Sequence, residues 1–364
     1  MKLNITEESV QVALRAFGNK DVHKKVAERL PELNSSNSKD SISYLSKAYK
    51  DEKLVFVLGA GVSMGYGLPG WNELLQKLMV TTIEEEENAS NVLAKLFHGI
   101  FRPNSLITGR YLQKFYGDKR NLAFEKAVQK ALYENCLYDN DSKLMSEIVN
   151  FCVAPGKSSN LDSIITYNFD DILEYKLSHF GIDIPFKPIY GVGMNPTNGE
   201  LPIYHVHGYL PSKGKLNDTN KITFGENVYH EQYNDTYSWN NITQINKFRD
   251  NTCLFIGTSL TDPNIRRLLD IARLQKGSRS GSHYIFKKRY NEDTTRKELK
   301  KLLDDNKILL NEKVMADLNL GETVRFLIEI IERFEENDSS SFGVNTIWVN
   351  DWDEIPEILS EIRK

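Results

Sequence analysis

The sequence predicts an α/β fold in which a parallel sheet of about six strands is flanked by helices. The first observation is a set of six short apolar segments that are rich in β-branched and aromatic residues. The second is that helical patterns separate most of these segments, and this alternation favours parallel strands. The six segments are Leu54–Leu58, Ser163–Thr166, Ile203–Val206, Cys253–Gly257, His283–Phe286 and Thr346–Val349.

The helical patterns also predict how the chain is divided. Residues 72–160 contain only helical patterns, so we predict an all-helical insertion within the sheet domain. Residues 1–45 are predicted to form a helical extension. Residues 46–364 are predicted to form the main domain, which ends in a strand and a helix over 342–364. The polar residues 335–341, of sequence EENDSSS, are predicted to form a loop.

Composition excludes several classes of protein. The formal net charge of −4 provides no overall basic field, which argues against direct binding of nucleic acid. Cys136, Cys152 and Cys253 form no CxxC pair, so we expect no cysteine zinc site. The N-terminus lacks an apolar signal core, and no stretch approaches the roughly 18 apolar residues of a membrane span. We therefore predict a cytoplasmic protein.

A glycine-rich loop follows the first predicted strand. Gly59 and Gly61 allow a tight turn and close backbone approach, and Ser63 offers a hydroxyl donor. The N-terminus of the next helix would add unpaired N–H groups, so this context predicts a dinucleotide phosphate site. The alternative is a turn that only joins strand to helix. No acidic residue ends a second strand about 20 positions on, which argues against an ordinary dehydrogenase.

Polar side chains follow the second predicted strand, at the edge where parallel sheets bind their ligands. Asn168 can both donate and accept hydrogen bonds, and no capping role suits it. For Asp170 and Asp171 the alternative to ligand binding is helix capping. We favour capping for Asp171, because Asp171 and Glu174 resemble a capping box.

Two histidines lie at the end of the third predicted strand. His207 is at the strand tip, beside Gly208, and a side chain that titrates near neutrality suits a general base. We interpret His205 as a core histidine whose hydrogen bonds are satisfied within the protein.

The fourth predicted strand ends in a further polar segment. Gly257 permits close approach, and the hydroxyls of Thr258 and Ser259 suit a ribose or a phosphate. Asp262 is predicted to be the N-cap of the next helix, and Arg266 to face solvent.

Taken in order, five segments resemble the motifs of the sirtuin superfamily. The resemblance extends from about residue 50 to residue 287 and implies a Rossmann-like fold. Each motif is short, but accidental matches rarely keep both order and structural context. The five segments are Gly59–Ser63, Asn168–Asp170, His207–Gly208, Phe224–Glu226 and Gly257–Ser259.

Two departures narrow the resemblance. Residues 209–221 contain no cysteine, although deacylating sirtuins carry a zinc ribbon at this place, and Pro69–Asn72 replaces their Pro-Asp-Phe-Arg. A Gly-x-Pro-x-Trp segment with a helical insertion resembles bacterial sirtuin-like defence proteins, which are NAD glycohydrolases that deplete NAD during phage infection. The resemblance therefore implies that NAD is the substrate and that its nicotinamide–ribose bond is cleaved without a metal.

The resemblance also implies roles for individual residues. Asn168 would orient the ribose or the attacking water, and His207 would act as a base or orient the ribose hydroxyls. Asp170 would contact the nicotinamide end. The pyrophosphate of NAD would be bound by Gly59, Ala60, Gly61 and Ser63. The adenosine side would be bound by Gly257, Thr258 and Ser259.

An uncontrolled NAD hydrolase would kill its host, so regulation is expected. No fused sensor domain is recognisable, and we predict control through homo-oligomerisation or through a separate partner. By resemblance to standalone sirtuin-like proteins, that partner is a HerA-like ATPase. Three alternative functions are an NAD-dependent protein deacylase, a non-catalytic sensor of NAD or ADP-ribose, and an effector directed to nucleic acid by a partner.

Overall fold

The computed structural model describes residues 20–29, 38–81, 105–117, 122–153, 159–224, 235, 237–277, 283–305 and 319–364. Within these ranges seven parallel strands form one sheet of order β3-β4-β2-β1-β5-β6-β7. The predicted parallel α/β fold is confirmed. The strands are β1 Leu54–Leu58, β2 Leu161–Thr166, β3 Phe186–Ile189, β4 Leu201–His205, β5 Thr252–Ile256, β6 His283–Lys288 and β7 Val344–Val349.

The edge strand β3 was not predicted from the sequence. It has four residues, of which only Ile189 is buried, so it lacks the apolar run that revealed the other strands. Pro188 lies within it, and a proline removes one donor from the sheet ladder. The strand is nevertheless formed, because β3 lies at the edge and pairs only with β4.

Helices cover both faces of the sheet. The predicted loop over 335–341 is wrong, because these residues continue a helix that ends at Ser341. The described helices are α1 Lys20–Arg29, α2 Ser38–Lys50, α3 Trp71–Thr81, α4 Ser105–Gly117, α5 Ala123–Tyr133, α6 Lys143–Cys152, α7 Ile172–Ser178, α8 Trp239–Asp250, α9 Pro263–Lys276, α10 Glu292–Asp305, α11 Leu320–Ser341 and α12 Ile355–Arg363.

The hydrophobic core has two parts, one on each face of the sheet. Alternate residues of β1 point to opposite faces, so Phe56 joins the first part and Val57 joins the second. The first part includes side chains of α2, α6, α12 and the helices α3 to α5. The second part is smaller and is formed mainly with α8 and α9, through residues such as Phe248 and Leu268. Both faces of β1 are therefore buried.

The predicted extension, insertion and main domain have no clear boundaries among the described helices. Helix α2 spans the predicted boundary between residues 45 and 46, and its Tyr49 hydroxyl donates to the Phe151 carbonyl oxygen at 3.3 Å. The described residues between 72 and 153 are helices and their connections. Residues 82–104 of the predicted insertion lie outside the described residues. The division into an extension, an insertion and a main domain stays a prediction.

The loops after β1 and β5 contact each other at the centre of the sheet. The Gly59 N–H donates to the Ile256 carbonyl at 3.0 Å, and the Gly61 N–H donates to the Gly257 carbonyl at 3.0 Å. A Cβ atom at Gly61 would lie 2.7 Å from the Gly257 Cα, and one at Gly257 would lie 2.8 Å from the Val62 nitrogen. These distances leave no space for a side chain, so glycine is required on both loops.

Replacing Gly257 by alanine is expected to destabilise the protein strongly. The φ of Gly257 is +69°, and the added Cβ would meet the backbone of the neighbouring loop. The control is Gly343→Ala, because Gly343 has a similar φ of +78° but no described atom within 4 Å of its Cβ position. Gly343→Ala should cost about 1–2 kcal/mol in the free energy of unfolding, from backbone strain alone.

Chemical denaturation of both variants measures the difference. Gly257→Ala should cost several kcal/mol more than its control, or should not fold at all, because backbone atoms cannot move aside cheaply. Equal losses of stability in the two variants would show that the contact between the loops does not constrain the fold.

Candidate functional site

The predicted site residues come together at the carboxyl edge of the sheet. Strands β1, β2, β4 and β5 end side by side, with Leu58 opposite Thr166 and Ile256, and Thr166 opposite His205. Strands β2, β4 and β3 lie on one side of β1, and strands β5, β6 and β7 lie on the other. The strand order therefore reverses at β1, and the gap between β1 and its neighbours is the topological switch point of the sheet. Ligands of open parallel sheets bind at such a point.

Asn168 is half-buried and is held by the glycine loop. Its Nδ2 donates to the Gly59 carbonyl at 3.1 Å and to the Ser63 hydroxyl at 3.2 Å, and its backbone N–H donates to the Thr166 hydroxyl at 3.1 Å. Both amide protons are thus used within the protein. The Oδ1 atom forms no hydrogen bond with the described residues, which leaves it as an acceptor for a bound hydroxyl or a water.

Ser63 lies beneath the loop rather than on its surface. It is buried, and its hydroxyl donates to Asp170 Oδ1 at 3.0 Å while it accepts from Asn168. A contact between this hydroxyl and a phosphate, which the sequence predicted, would require a different arrangement of hydrogen bonds. Ala60 and Gly61 are exposed, so their backbone is the part of the loop that a phosphate can reach.

The expected helix N-terminus behind the loop is wrong. The loop continues into two short 3-10 turns, Ala60–Val62 and Met64–Tyr66, and the first α-helix begins only at Trp71. No long helix dipole therefore points at the glycine loop from this segment.

Asp170 is buried behind Ser63, two residues before the start of helix α7. Its Oδ1 accepts from the Ile172 N–H at 3.1 Å as well as from Ser63, so the carboxylate binds the first N–H group of the helix. Burial raises the pKa of Asp170 from 3.8 to about 6, and the two hydrogen bonds oppose this change only in part. The predicted contact with the nicotinamide end would have to involve a carboxylate that already accepts these two bonds.

Asp171 has a structural role, as expected, but the predicted capping box is wrong. Its side chain makes no capping hydrogen bond, although Asp171 occupies the N-cap position of α7. Instead, Oδ1 accepts from the hydroxyls of Tyr133 and Tyr138, both at 3.0 Å, and Oδ2 accepts from the Ser212 N–H at 2.7 Å. Asp171 thereby joins the helical segment around α5 to the loop that follows His207.

His205 is a satisfied core histidine, as the sequence predicted. It is buried, with Nε2 2.6 Å from Glu174 Oε1 and Nδ1 3.3 Å from the Asn168 carbonyl oxygen. Glu174 therefore faces His205 and not the start of its own helix. The pair supports the backbone of Asn168 from behind.

His207 lies two residues beyond the end of β4. Strand β4 pairs with β2, the strand that precedes Asn168. Its ring is buried and stands edge-on to the Tyr167 ring, with centroids 4.8 Å apart. Burial lowers the pKa of His207, and the negative charge of Asp262 opposes that change. The His207 Nε2 atom lies 4.0 Å from Asp262 Oδ2. A neutral imidazole at this position can accept a proton.

Gly208 allows the loop after His207 to pack tightly. Its φ is +104°, and a Cβ atom there would lie 2.6 Å from the Lys221 carbonyl oxygen. The His207 carbonyl accepts from the Thr223 N–H at 2.7 Å, so the two segments run side by side.

The segment after β5 provides exposed hydroxyls and a strained residue. Thr258 is half-buried, and Ser259 is exposed with its hydroxyl 2.8 Å from that of Thr261. Leu260 is buried with a φ of +54°, a conformation that costs a non-glycine residue about 1–3 kcal/mol. The chain turns sharply here before helix α9 begins.

Asp262 caps helix α9, as predicted, through Oδ1, which accepts from the Asn264 N–H at 2.7 Å. Its other oxygen, Oδ2, faces His207, and no sequence pattern indicated this contact. Arg266 is partly exposed, in line with the prediction, but it also has a partner on another helix. Its guanidinium makes a bidentate ion pair with Asp338 of α11, with N–O distances of 2.6 and 2.8 Å.

Phe224 is the described part of the Phe-Gly-Glu segment. It is buried against Trp71 and Phe124, with ring centroids 4.6 and 5.0 Å away. Gly225 and Glu226 lie outside the described residues. The aromatic contact joins the loop after His207 to helices α3 and α5.

The described ranges show neither a metal-binding cluster nor a membrane-spanning helix. They contain no group of three or more His, Cys, Asp or Glu side chains that could hold a metal ion. In the same ranges no helix combines the length and the apolar character that crossing a membrane demands.

The sequence of this chain is similar to those of SIR2-like proteins. Residues 162–310 match the SIR2-like domain, a range that contains Asn168, His207 and Asp262. The chain is also 24% identical, over 325 residues, to a protein of Enterococcus faecium named NAD(+) hydrolase ThsA. The alignment covers 89% of this chain and 58% of that relative, so the chain spans little more than half the length of the relative.

The buried carboxyl of Asp170 should make stability depend on pH. Because its pKa is higher in the folded protein, the native state binds the extra proton between about pH 4 and pH 6. Stability should therefore fall as the pH rises through this interval, by about 3 kcal/mol from this group. Asp170→Asn should remove this part of the pH dependence.

Urea denaturation at several pH values between 4 and 7 tests this expectation. Asp218→Asn, which removes an exposed carboxylate, is the control for the loss of one charge. If the stability difference between Asp170→Asn and the wild type is the same at pH 4 and pH 7, the assigned environment of Asp170 is incorrect.

Proposed function

We propose that this SIR2-like chain is an NAD glycohydrolase, which cleaves the nicotinamide–ribose bond of NAD to give nicotinamide and ADP-ribose. The observation that carries the proposal is the convergence of Asn168 and His207 at the switch point of the sheet, beside a glycine loop with an exposed backbone. The name of the relative from Enterococcus faecium, an NAD(+) hydrolase, supports the same reaction.

In the proposed reaction, a water attacks the anomeric carbon as the bond to nicotinamide breaks. The electron pair of that bond leaves with nicotinamide, which becomes neutral, so the leaving group needs no proton. The ribose passes through a state of oxocarbenium character, and the protein must hold the ribose and the water in line. The water loses its proton as it bonds to carbon, and a base is needed to accept it.

Asn168 and His207 suit these two tasks. The free Oδ1 of Asn168 is an acceptor for a ribose hydroxyl or for the attacking water, and its position is fixed by Gly59 and Ser63. The lowered pKa of His207 favours the neutral imidazole, which is the form that accepts a proton. Asp170 would then act on Asn168 through Ser63, in addition to any contact with the nicotinamide end.

The two loops at the centre of the sheet would hold the rest of NAD. The exposed backbone of Ala60 and Gly61 suits the pyrophosphate, since backbone N–H groups bind phosphates at such turns. Thr258 and Ser259, on the neighbouring loop, suit the hydroxyls of the adenosine ribose.

Bacterial sirtuin-like proteins of this type, to which the motifs are similar, act in anti-phage defence by depleting NAD. We propose the same setting here, with nicotinamide and ADP-ribose as end products during infection. The proposal includes control by oligomerisation or by a partner such as a HerA-like ATPase, because an enzyme that consumes NAD continuously would harm its own cell.

Substitution of either central residue should abolish the activity. Asn168→Ala and His207→Ala should each lower the turnover of NAD at least about 100-fold, since each removes a group that acts on the reacting atoms. His179→Ala, at an exposed histidine, is the control. Chromatography of nicotinamide and ADP-ribose measures the products, and circular dichroism checks that the variants fold.

Full activity in both variants would refute the assignment of the site. An NAD-dependent loss of acetyl groups from a peptide, without free hydrolysis, would favour the deacylase instead. Binding of NAD by calorimetry with no turnover, also in the presence of the partner, would favour a sensor.

The control of the enzyme is tested by co-expression with the product of the adjacent gene. Size-exclusion chromatography with light scattering should give a mass well above the 41.8 kDa of one chain, either for the chain alone or with the partner. The rate of NAD hydrolysis should rise or fall on assembly. A monomer with full activity under both conditions contradicts this proposal.

A further inference from the structure

We propose that Asp262 is a positioning residue for His207, so that one side chain both begins helix α9 and assists the proposed base. The inference rests on the proposed function of His207 and goes beyond it. The sequence pattern explains Asp262 fully as an N-cap. The second use of its carboxylate becomes visible only when the loops after β4 and β5 are placed side by side.

The two oxygens of Asp262 have different neighbours. Oδ1 accepts from the N–H groups of Asn264 and Ile265, at 2.7 and 3.3 Å, which orients the carboxylate. Oδ2 points the other way and lies 4.0 Å from His207 Nε2. The helix cap therefore holds the charge at a fixed distance from a ring that is buried.

The segment that carries Asp262 is itself rigidly held. Arg266 donates to the Leu260 carbonyl at 3.3 Å and is fixed by its ion pair with Asp338. The same guanidinium lies 4.3 Å from the centroid of the Phe342 ring. These contacts bind the turn after β5 to helix α11, so the carboxylate cannot easily move away from the histidine.

Such a charge has a direct effect on proton transfer. When His207 accepts a proton, the ring becomes a cation in a buried site, where water stabilises it poorly. The nearby carboxylate stabilises that cation and favours one orientation of the ring. Tyr167 is a second titratable side chain against the ring, and its hydroxyl donates to Gln244 Oε1. Asp262 is a charged group that faces His207.

Asp262→Asn separates the two roles of the side chain. Asparagine caps helices about as well as aspartate, so the helix should keep its start while the charge is lost. Asp262→Ser caps as well and is the second variant if the first does not fold. Asp351→Asn is the matched control. Asp351 also caps a short helix through Oδ1, and its Oδ2 pairs with a cation, Lys288, at the end of β6.

The first measurement does not depend on activity. An NMR titration of the histidine rings in the wild type, with His207→Gln to assign the signal, gives the pKa of His207. In Asp262→Asn this pKa should fall by about one unit, because an opposite charge at such a distance favours the protonated ring. In Asp351→Asn it should not change. An unchanged pKa in Asp262→Asn would overturn the proposal.

The second measurement is the pH profile of NAD hydrolysis. In Asp262→Asn, kcat should fall about tenfold with little change in KM, and the acidic limb of kcat should move to lower pH. A raised KM with unchanged kcat would show that Asp262 binds NAD directly and would overturn the positioning role. If the wild type does not hydrolyse NAD, the proposed function fails, while the titration still decides whether the two side chains are coupled.

Discussion

The candidate site depends on the close contact between the loops that follow β1 and β5. Two backbone hydrogen bonds join them, and glycine at 59, 61 and 257 leaves the space for this approach. The contact has two consequences. It exposes backbone of the first loop at the surface of the switch point, and it fixes the Gly59 carbonyl, to which Asn168 donates. The same glycines therefore serve packing and the site at once, and the two uses cannot be separated by sequence alone.

A second layer of contacts holds the polar side chains in place. Asn168 is supported by Ser63, and Ser63 by the buried carboxyl of Asp170, while the His205–Glu174 pair lies behind the Asn168 backbone. On the other side, Asp262 is held by the start of α9. The candidate site thus rests on a buried network of hydrogen bonds, an arrangement that would keep the proposed reacting groups oriented before a ligand binds.

The parts of the fold that followed a strong local pattern were predicted correctly. Central strands such as β1 are buried on both faces and have continuous apolar sequences, and this alone revealed them. The edge strand β3 was missed because it buries almost nothing and contains a proline. The last turns of α11 were mistaken for a loop because EENDSSS has poor helix propensity. Packing overrides that propensity there, since Glu336 and Ser339 are buried against the rest of the protein.

The sequence by itself determined the fold class and selected the residues that are proposed to form the site. Apolar periodicity predicts the strands, and the order of the glycine, asparagine and histidine motifs predicts which strand ends would form the site. Only the tertiary structure decided how each side chain is used. In that structure the Ser63 hydroxyl is buried against Asp170, and Asp171 accepts hydrogen bonds from two tyrosine hydroxyls. One oxygen of Asp262 faces His207. These are contacts between residues distant in the chain, and a local pattern such as a capping box contains no information about them.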